Sequence, residues 1–288
     1  MALNTLRIRT KNNTSDPLKK SIIVPRGVRA VFRLGSRTAT EDIFSARARQ
    51  ENRVIEINTV DACATSGNKL KMKTAFVLAG VPTAKFYTCR REENGFYLFL
   101  HEFNQEENDI VMKHYNIIDT DNIKYPIVAK SIGGSQGRGN FKLDTVEQLF
   151  TWLDQHVNNL SNFIFEQFYT FSKEYRLHVT SEGCFYTCRK MLKRDTPEEL
   201  RWQRHDDNSV WILEENEQFA KPNNWRQIEE ACVKALTATG LTIGACDVKM
   251  QTKLDNPEFI VLEINSAPSM GDITLVKYRE QLERLVNG

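Results

Sequence analysis

Two alternating runs near the end of the chain, 243–251 and 258–265, are separated by the turn-forming Asp255-Asn256-Pro257. They constrain the fold more than any other feature. Period-two alternation marks half-buried strands, and a turn this short makes the pair antiparallel. A second hairpin reads from 173–180 and 184–190 around Ser181-Glu182-Gly183. Helical patterns lie between such hairpins. Asn68 caps a helix over 69–79, with Leu70, Phe76 and Leu78 among its apolar positions, Gly80 at its stop and Pro82 beyond. Asp144 opens another, with Glu147 as reciprocal capping partner and Val146, Leu149, Phe150, Leu153 and Val157 at helical spacing. A third spans 225–239 with Ile228, Ala231, Cys232, Ala235 and Leu236 on one face, closed by Gly240. Further strands are expected at 28–34, 53–58, 125–130 and 162–168, while 198–208 is polar and shows no clear period. Helices alternating with antiparallel hairpins define an α+β chain rather than a doubly wound parallel sheet. Residues 1–67 read as a small α/β lobe, and the helix from residue 68 begins the second part.

No apolar run approaches the roughly 18 residues of a membrane span, and residues 1–10 carry no apolar signal core. Cys63, Cys89, Cys184, Cys188, Cys232 and Cys246 form no CxxC pair, so reduced thiols in a cytoplasmic protein are expected. Cys184 and Cys188, four apart on one strand, are expected to share a face. The net charge of +2 is unevenly distributed. Residues 1–40 hold nine Lys/Arg (Arg7, Arg9, Lys11, Lys19, Lys20, Arg26, Arg29, Arg33, Arg37) against Asp16, giving +8, and the rest of the chain carries −6. Such a front attracts a polyanion or is simply a solvated face.

Three constellations carry chemistry. The run Val128-Ala129-Lys130 delivers a lysine into a loop containing Gly133, Gly134, Gly137 and Gly139, with Ser135 and Gln136 between them. Glycines let such a loop fold over phosphates with its N–H groups exposed, although a flexible linker has the same composition. The lysine precedes the glycines, so this is not a Walker A loop. Next, alternation places Asp247 with Lys249 on one strand, and Glu263 with Asn265 on its neighbour, on a common face. Leu262 and Ile264 fall on the opposite face. Two carboxylates and an amide oxygen suit hard Mg²⁺; the alternative is a pair of solvated polar faces. Last, Glu174, Arg176 and His178 share a face, and Lys190 ends the next strand. Arg176 and Lys190 suit a transferring phosphoryl group, while His178 reads as structural.

In this order, the pieces resemble the ATP-grasp superfamily, most closely its branch of ribosomal-protein glutamate ligases and lysine-biosynthesis carrier ligases. Asn68-Lys69 is similar to that branch's Asp-Lys helix start, whose lysine touches the nucleotide. Lys130 and its loop (Gly133, Gly134, Ser135, Gln136, Gly137) resemble the second ATP lysine and the phosphate cover. Glu166-Gln167-Phe168 resembles the hinge that holds the adenine region through its acid and backbone. Glu174-Tyr175-Arg176 stands where the family has Asp-Ile-Arg, and Lys190 where it keeps a basic residue. Asp247, Glu263 and Asn265 match the metal-binding Asp and Glu-x-Asn, and Ser266-Ala267-Pro268-Ser269 replaces the family's Pro-Gly turn. The match covers about 69–275; residues 1–67 correspond only by position.

The resemblance implies a pre-ATP lobe (1–67) and an ATP-grasp domain (68–288), divided into a lobe with the glycine loop (68–165) and one with the metal site (166–288). It implies an ADP-forming ligase that uses ATP and Mg²⁺ (or Mn²⁺) to convert a carboxylate to an acyl phosphate and join it to an amine, adding an amino acid to a peptide or protein. Two alternatives stay open at this level. One is a ligase acting on a nucleic acid or modified nucleobase, drawn by the basic front; the other is a nucleotide-binding module without catalysis.

Overall fold

The structure, a computed structural model, describes residues 5–10, 29–37, 54–119, 121–134, 139–205, 207–217, 219–251 and 255–287, with side chains from residue 30 onward. Ser135, Gln136, Gly137 and the neighbouring Arg138 lie outside the described residues, as do Lys11, Lys19, Lys20 and Arg26 of the basic front.

The first lobe in sequence is a parallel sheet of β1 (Thr5–Thr10), β2 (Arg29–Leu34) and β3 (Val54–Ile57) in the order β1-β2-β3. Helix α1 (Val60–Ser66) follows, with Thr59 Oγ1 accepting from the Ala62 N–H at 3.2 Å. Ala30, Phe32 and Leu34 of β2 pack against Ile243 and against Tyr278, Leu282 and Val286. The last three belong to the C-terminal helix, Asp272–Asn287. The side chain of Asn58, fully buried at φ 59°, ties this lobe to the strand that follows Leu241. Its Nδ2 donates to the Arg33 and Ile243 carbonyls at 3.1 and 2.9 Å, and its Oδ1 accepts from the Thr242 and Ile243 N–H groups at 2.9 and 3.1 Å.

Helix α2 (Lys69–Ala79) has the expected ends. Asn68 Oδ1 accepts from the Lys71 N–H at 3.0 Å, and Gly80 stops the helix at φ 64°, a left-handed conformation that favours glycine. It buries Met72, Lys73 and Phe76, while Leu78 faces outward.

The second sheet contains β4 (Phe86–Glu92), β5 (Gly95–Asn104), β6 (Asp109–Asn116), β7 (Ile127–Ser131), β8 (Asn140–Leu143) and β9 (Phe163–Gln167), in the order β6-β5-β4-β9-β7-β8. Helix α3 (Val146–Gln155) covers one face through Leu149, Trp152 and Leu153. The expected cap moves by one residue. Thr145, not Asp144, is the N-cap, accepting from the Gln148 N–H at 3.3 Å, and Gln148 reaches back to the Asp144 N–H at 2.7 Å. Phe150 lies on the exposed side of this helix.

The third sheet is antiparallel: β10 (Lys173–Thr180), β11 (Gly183–Leu192), β12 (Ser209–Leu213), β13 (Ile243–Met250) and β14 (Phe259–Asn265), in the order β12-β11-β10-β13-β14. Helix α4 (Trp225–Thr239) lies on it, and α5 is the C-terminal helix Asp272–Asn287. The core under this sheet joins Ala62, Met72, Phe76 and Val81 to Tyr175, Leu177, Val179, Val248, Val261 and Ile264. Helix α2, which the sequence reading assigns to the first lobe, therefore packs in the core of the other one. Among the described residues no helix is long and apolar enough to cross a membrane.

Two register shifts correct the alternation argument. One falls between His178 and Val179, where Tyr186 and Cys184 are successive partners. Cys188 pairs with Arg176 and Cys184 with Val179, so the two thiols point to opposite faces. The other falls between Asp247 and Val248, whose partners are Glu263 and Val261. Leu262 is the extra residue; it leaves the face of Ile264 and lines the cleft described next.

Candidate active site

The two larger sheets face each other across a cleft of about 350 Å³. Seven cationic and four acidic side chains line it. The positive excess suits a polyphosphate.

From the sheet carrying the glycine loop, Lys130 on β7 and Glu166 on β9 reach the cleft on one face, because Val128 and Glu166 are register partners. Lys130 Nζ lies 2.6 Å from Glu166 Oε2, and Lys73 Nζ lies 3.6 Å from Oε1. Lys73 also donates to Thr83 Oγ1 at 2.7 Å. Burial alone would raise the Glu166 pKa, but the Lys130 and Lys73 charges outweigh it and hold the carboxylate ionised. Burial depresses Lys73 to about 8 despite Glu166. Lys69 Nζ donates to the Gly134 carbonyl, fastening the start of α2 to the glycine loop; burial lowers its pKa also. Gly133 and Gly134 line the cleft, and a side chain at Gly133 would meet nothing within 4 Å.

Gln167 and Phe168 of the expected hinge line the cleft as well. Their N–H groups are already used, Gln167 donating to the Lys85 carbonyl and Phe168 to the Pro126 carbonyl, each at 2.9 Å. These two amides are not donors for a base.

From the antiparallel sheet, register places Glu174 opposite Lys190 and Lys249, and Arg176 opposite Asp247. Arg176 grips Asp247 with two bonds, Nε to Oδ1 at 2.7 Å and Nη2 to Oδ2 at 3.0 Å. Burial would raise the Asp247 pKa, but Arg176 lowers it; the same carboxylate overcomes burial to raise Arg176. Asn265 Nδ2 lies 3.4 Å from Asp247 Oδ2 and 3.1 Å from Glu263 Oε1, so the three expected metal ligands converge. Their donors are hard oxygens, of the kind Mg²⁺ takes. A carboxylate has about four lone-pair sites; Arg176 uses two on Asp247 and leaves room for a cation. With the Asn265 amide turned over, its oxygen faces the same point.

Trp211, the register partner of Lys190, supports both expected phosphoryl-binding cations. Its ring centroid lies 4.7 Å from Arg176 Cζ and 5.1 Å from Lys190 Nζ. Glu174 is buried, which raises its pKa, between Lys249 and Arg204. Burial depresses Lys249 to about 8, and its Nζ lies 3.9 Å from the Phe171 centroid. His178 is structural as expected, its Nδ1 3.2 Å from the Tyr278 hydroxyl in full burial.

Sequence reasoning missed Lys73, Trp211 and an apolar slot of Met72, Ala84, Val128, Ile260 and Leu262 at the cleft wall, and gave Lys249 a face but no role. Lys73 was findable, lying one helical turn after Lys69.

No protein-family model matches the chain, and no curated protein matches it in sequence. Similar solved structures exist nonetheless. D-alanine–D-alanine ligase from Bacillus anthracis aligns at 11% identity over 99% of this chain and 95% of its own, with a TM-score of 0.61. The VanG D-Ala:D-Ser ligase from Enterococcus faecalis aligns at 12% identity over 100% and 99%, with a TM-score of 0.62. The ATP-grasp ligase PsnB, solved with a minimal precursor, aligns at 12% identity over 98% and 100%, with a TM-score of 0.59. Over nearly its whole length, then, the chain has the α+β ATP-grasp fold.

Proposed function

We propose that the protein is an ADP-forming carboxylate–amine ligase dependent on ATP and Mg²⁺, joining an amino acid to a peptide or protein. The observation that carries this reading is the meeting of Lys69, Lys130 and Glu166 from one side with Arg176, Lys190, Asp247, Glu263 and Asn265 from the other in one cleft. The fold supports it: one similar structure is the Bacillus anthracis ligase complexed with ATP.

The base would enter the slot between Met72, Val128 and Leu262, and Lys69 and Lys130 would neutralise the phosphates. Asp247, Glu263 and Asn265 would hold Mg²⁺, which supplies charge neutralisation at the phosphate oxygens. A substrate carboxylate oxygen attacks the γ-phosphorus, the bond to the bridging oxygen breaks, and ADP leaves. An amine nitrogen then attacks the acyl carbon. The carbon–oxygen bond to phosphate breaks, and the nitrogen gives up a proton as phosphate departs. Arg176 and Lys190, held over Trp211, stabilise charge on the transferring group. No protein nucleophile takes part.

Nucleotide products analysed by chromatography with a panel of acids and amines test this. ADP with phosphate is expected; AMP with pyrophosphate would replace the acyl phosphate with an adenylate and sink the mechanism.

A further inference from the structure

Gly35, Arg37, Ser66, Ser266 and Ser269 line one end of the cleft, gathered around Cys63, which neighbours Gly35, Arg37 and Ser266. This end adjoins the metal-binding candidates, because Ser266 directly follows Asn265. Its polar side chains are a guanidinium and three hydroxyls. Arg37 is exposed at the mouth and spends one of its five N–H donors on the Gly67 carbonyl, at 2.7 Å. Ser66 and Ser266 are buried. Among the described residues lining this end there is no carboxylate apart from Asp247 and Glu263, which the ligase reading assigns to the cation. Arg37 and Arg176 line the same cleft, so an acid with its reacting carboxylate near Arg176 can present its remaining atoms to Arg37. A second anionic group there meets a cation and the Ser269 hydroxyl, while the Ser66 hydroxyl already donates to the Cys63 carbonyl at 3.4 Å and Ser266 bonds the Cys63 thiol. An ammonium group at the same place meets Arg37 as a like charge and, among the described residues, finds no acidic partner beyond Asp247 and Glu263.

We infer that this end selects an acid with a second anionic group and without a free ammonium group, and that Arg37 is its main partner. The inference rests on the ligase reading and names the class of acid which that site activates. Position, rather than charge alone, makes Arg37 effective. The Gly67 carbonyl fixes the guanidinium over the wall, and a Cβ at Gly67 would overlap it. Gly67 lies at φ −84°, which alanine adopts; a Cβ would also sit 3.0 Å from the Cys63 carbonyl oxygen, and the overlapped guanidinium, as the flexible group, moves most.

The test uses the full chain with Mg²⁺-ATP and hydroxylamine, which traps an acyl phosphate as a hydroxamate. Glutarate, butyrate and glutamate are compared as acids, together with calorimetric binding of each to enzyme loaded with a non-hydrolysable ATP analogue. Glutarate is expected to exceed both others at least tenfold in kcat/KM and in affinity. Arg37→Gln should erase that preference through KM, and Gly67→Ala should weaken it tenfold with every charge retained. Unchanged ATP affinity in both variants shows the fold intact. Glutamate preferred over glutarate, or a preference untouched by Arg37→Gln, overturns the inference and leaves the ligase standing. No hydroxamate and no ADP from any acid, with no acid bound, overturns both.

Discussion

Asn58 offers a direct measure of what holds the N-terminal lobe to the rest of the molecule. Its side chain makes four hydrogen bonds, three of them buried, two given and two received, to backbone groups of Arg33, Thr242 and Ile243. At about 1 kcal/mol net for each bond, removal costs about 4 kcal/mol. Its positive φ adds a second contribution, because alanine tolerates that conformation worse than asparagine by about 1 kcal/mol. Asn58→Gly removes the bonds and relaxes the backbone, whereas Asn58→Ala removes the bonds and strains it. With an m value of about 3 kcal/mol/M, Asn58→Gly should lower the urea midpoint by roughly 1.3 M and Asn58→Ala by more. Asn58→Asp keeps the two acceptor bonds but sets a carboxylate against two carbonyls, and should fare no better than glycine. Tryptophan fluorescence during urea titration reads all three. A shift under 0.3 M for Asn58→Gly would mean that the apolar contact of β2 with Ile243 and α5 holds the lobe without the amide.

Three further outcomes are expected. Lys130→Ala should weaken ATP binding by tenfold or more in calorimetry, the loss of a charge-assisted contact worth about 1.5–3 kcal/mol; unchanged affinity in a folded variant would remove Lys130 from the nucleotide site. Leu262→Ala should raise the KM for ATP with little change in stability, whereas Ile264→Ala, two residues on and fully buried, should cost about 2–5 kcal/mol; equal stability losses would contradict the register shift. Burial, with Arg176 nearby, depresses His178 to about 3. The unfolded chain therefore takes up its proton near 6.5 and the folded one does not, so the stability this group contributes is full above about pH 6.5 and falls as the pH drops toward 3. From pH 6.5 to 5 that is about 2 kcal/mol, which His178→Gln should abolish in urea titrations at the two pH values.

The alternating hairpin of β13 and β14 was legible because one face is apolar and the turn residues are strong. Helices α2 and α4 were legible from Asn68, Gly80 and Gly240. The meander of β4, β5 and β6 was not. In β5, Phe96, Leu98 and Leu100 enter the core while Tyr97 and Phe99 form the other face, so hydrophobicity shows no period. The cap of α3 slipped because Asp144 and Thr145 are both good cap residues. The place of Leu262 was beyond local reading, since a bulge exists only in the pairing of two strands. Trp211 was hidden for a similar reason, as its value lies in facing Lys190 across a ladder. That Asp247, Glu263, Asn265, Arg176 and Lys190 line one cleft was legible because strand alternation fixes a shared face before any register is known.

The core that unites Met72, Phe76 and Val81 with Tyr175, Val248 and Ile264 also has a consequence for biosynthesis. Those two groups are separated by the whole sheet of β4 to β9, whose own core draws only on residues between Tyr87 and Phe165. During translation the intervening sheet has all its partners once residue 167 has emerged, and it can condense while α2 still lacks the surface it will cover. Helix α2 waits, with Met72 and Phe76 uncovered, until β14 leaves the ribosome about a hundred residues later. Ribosome-stalled chains in which residue 167 has just cleared the exit tunnel should already resist proteolysis across the inserted sheet.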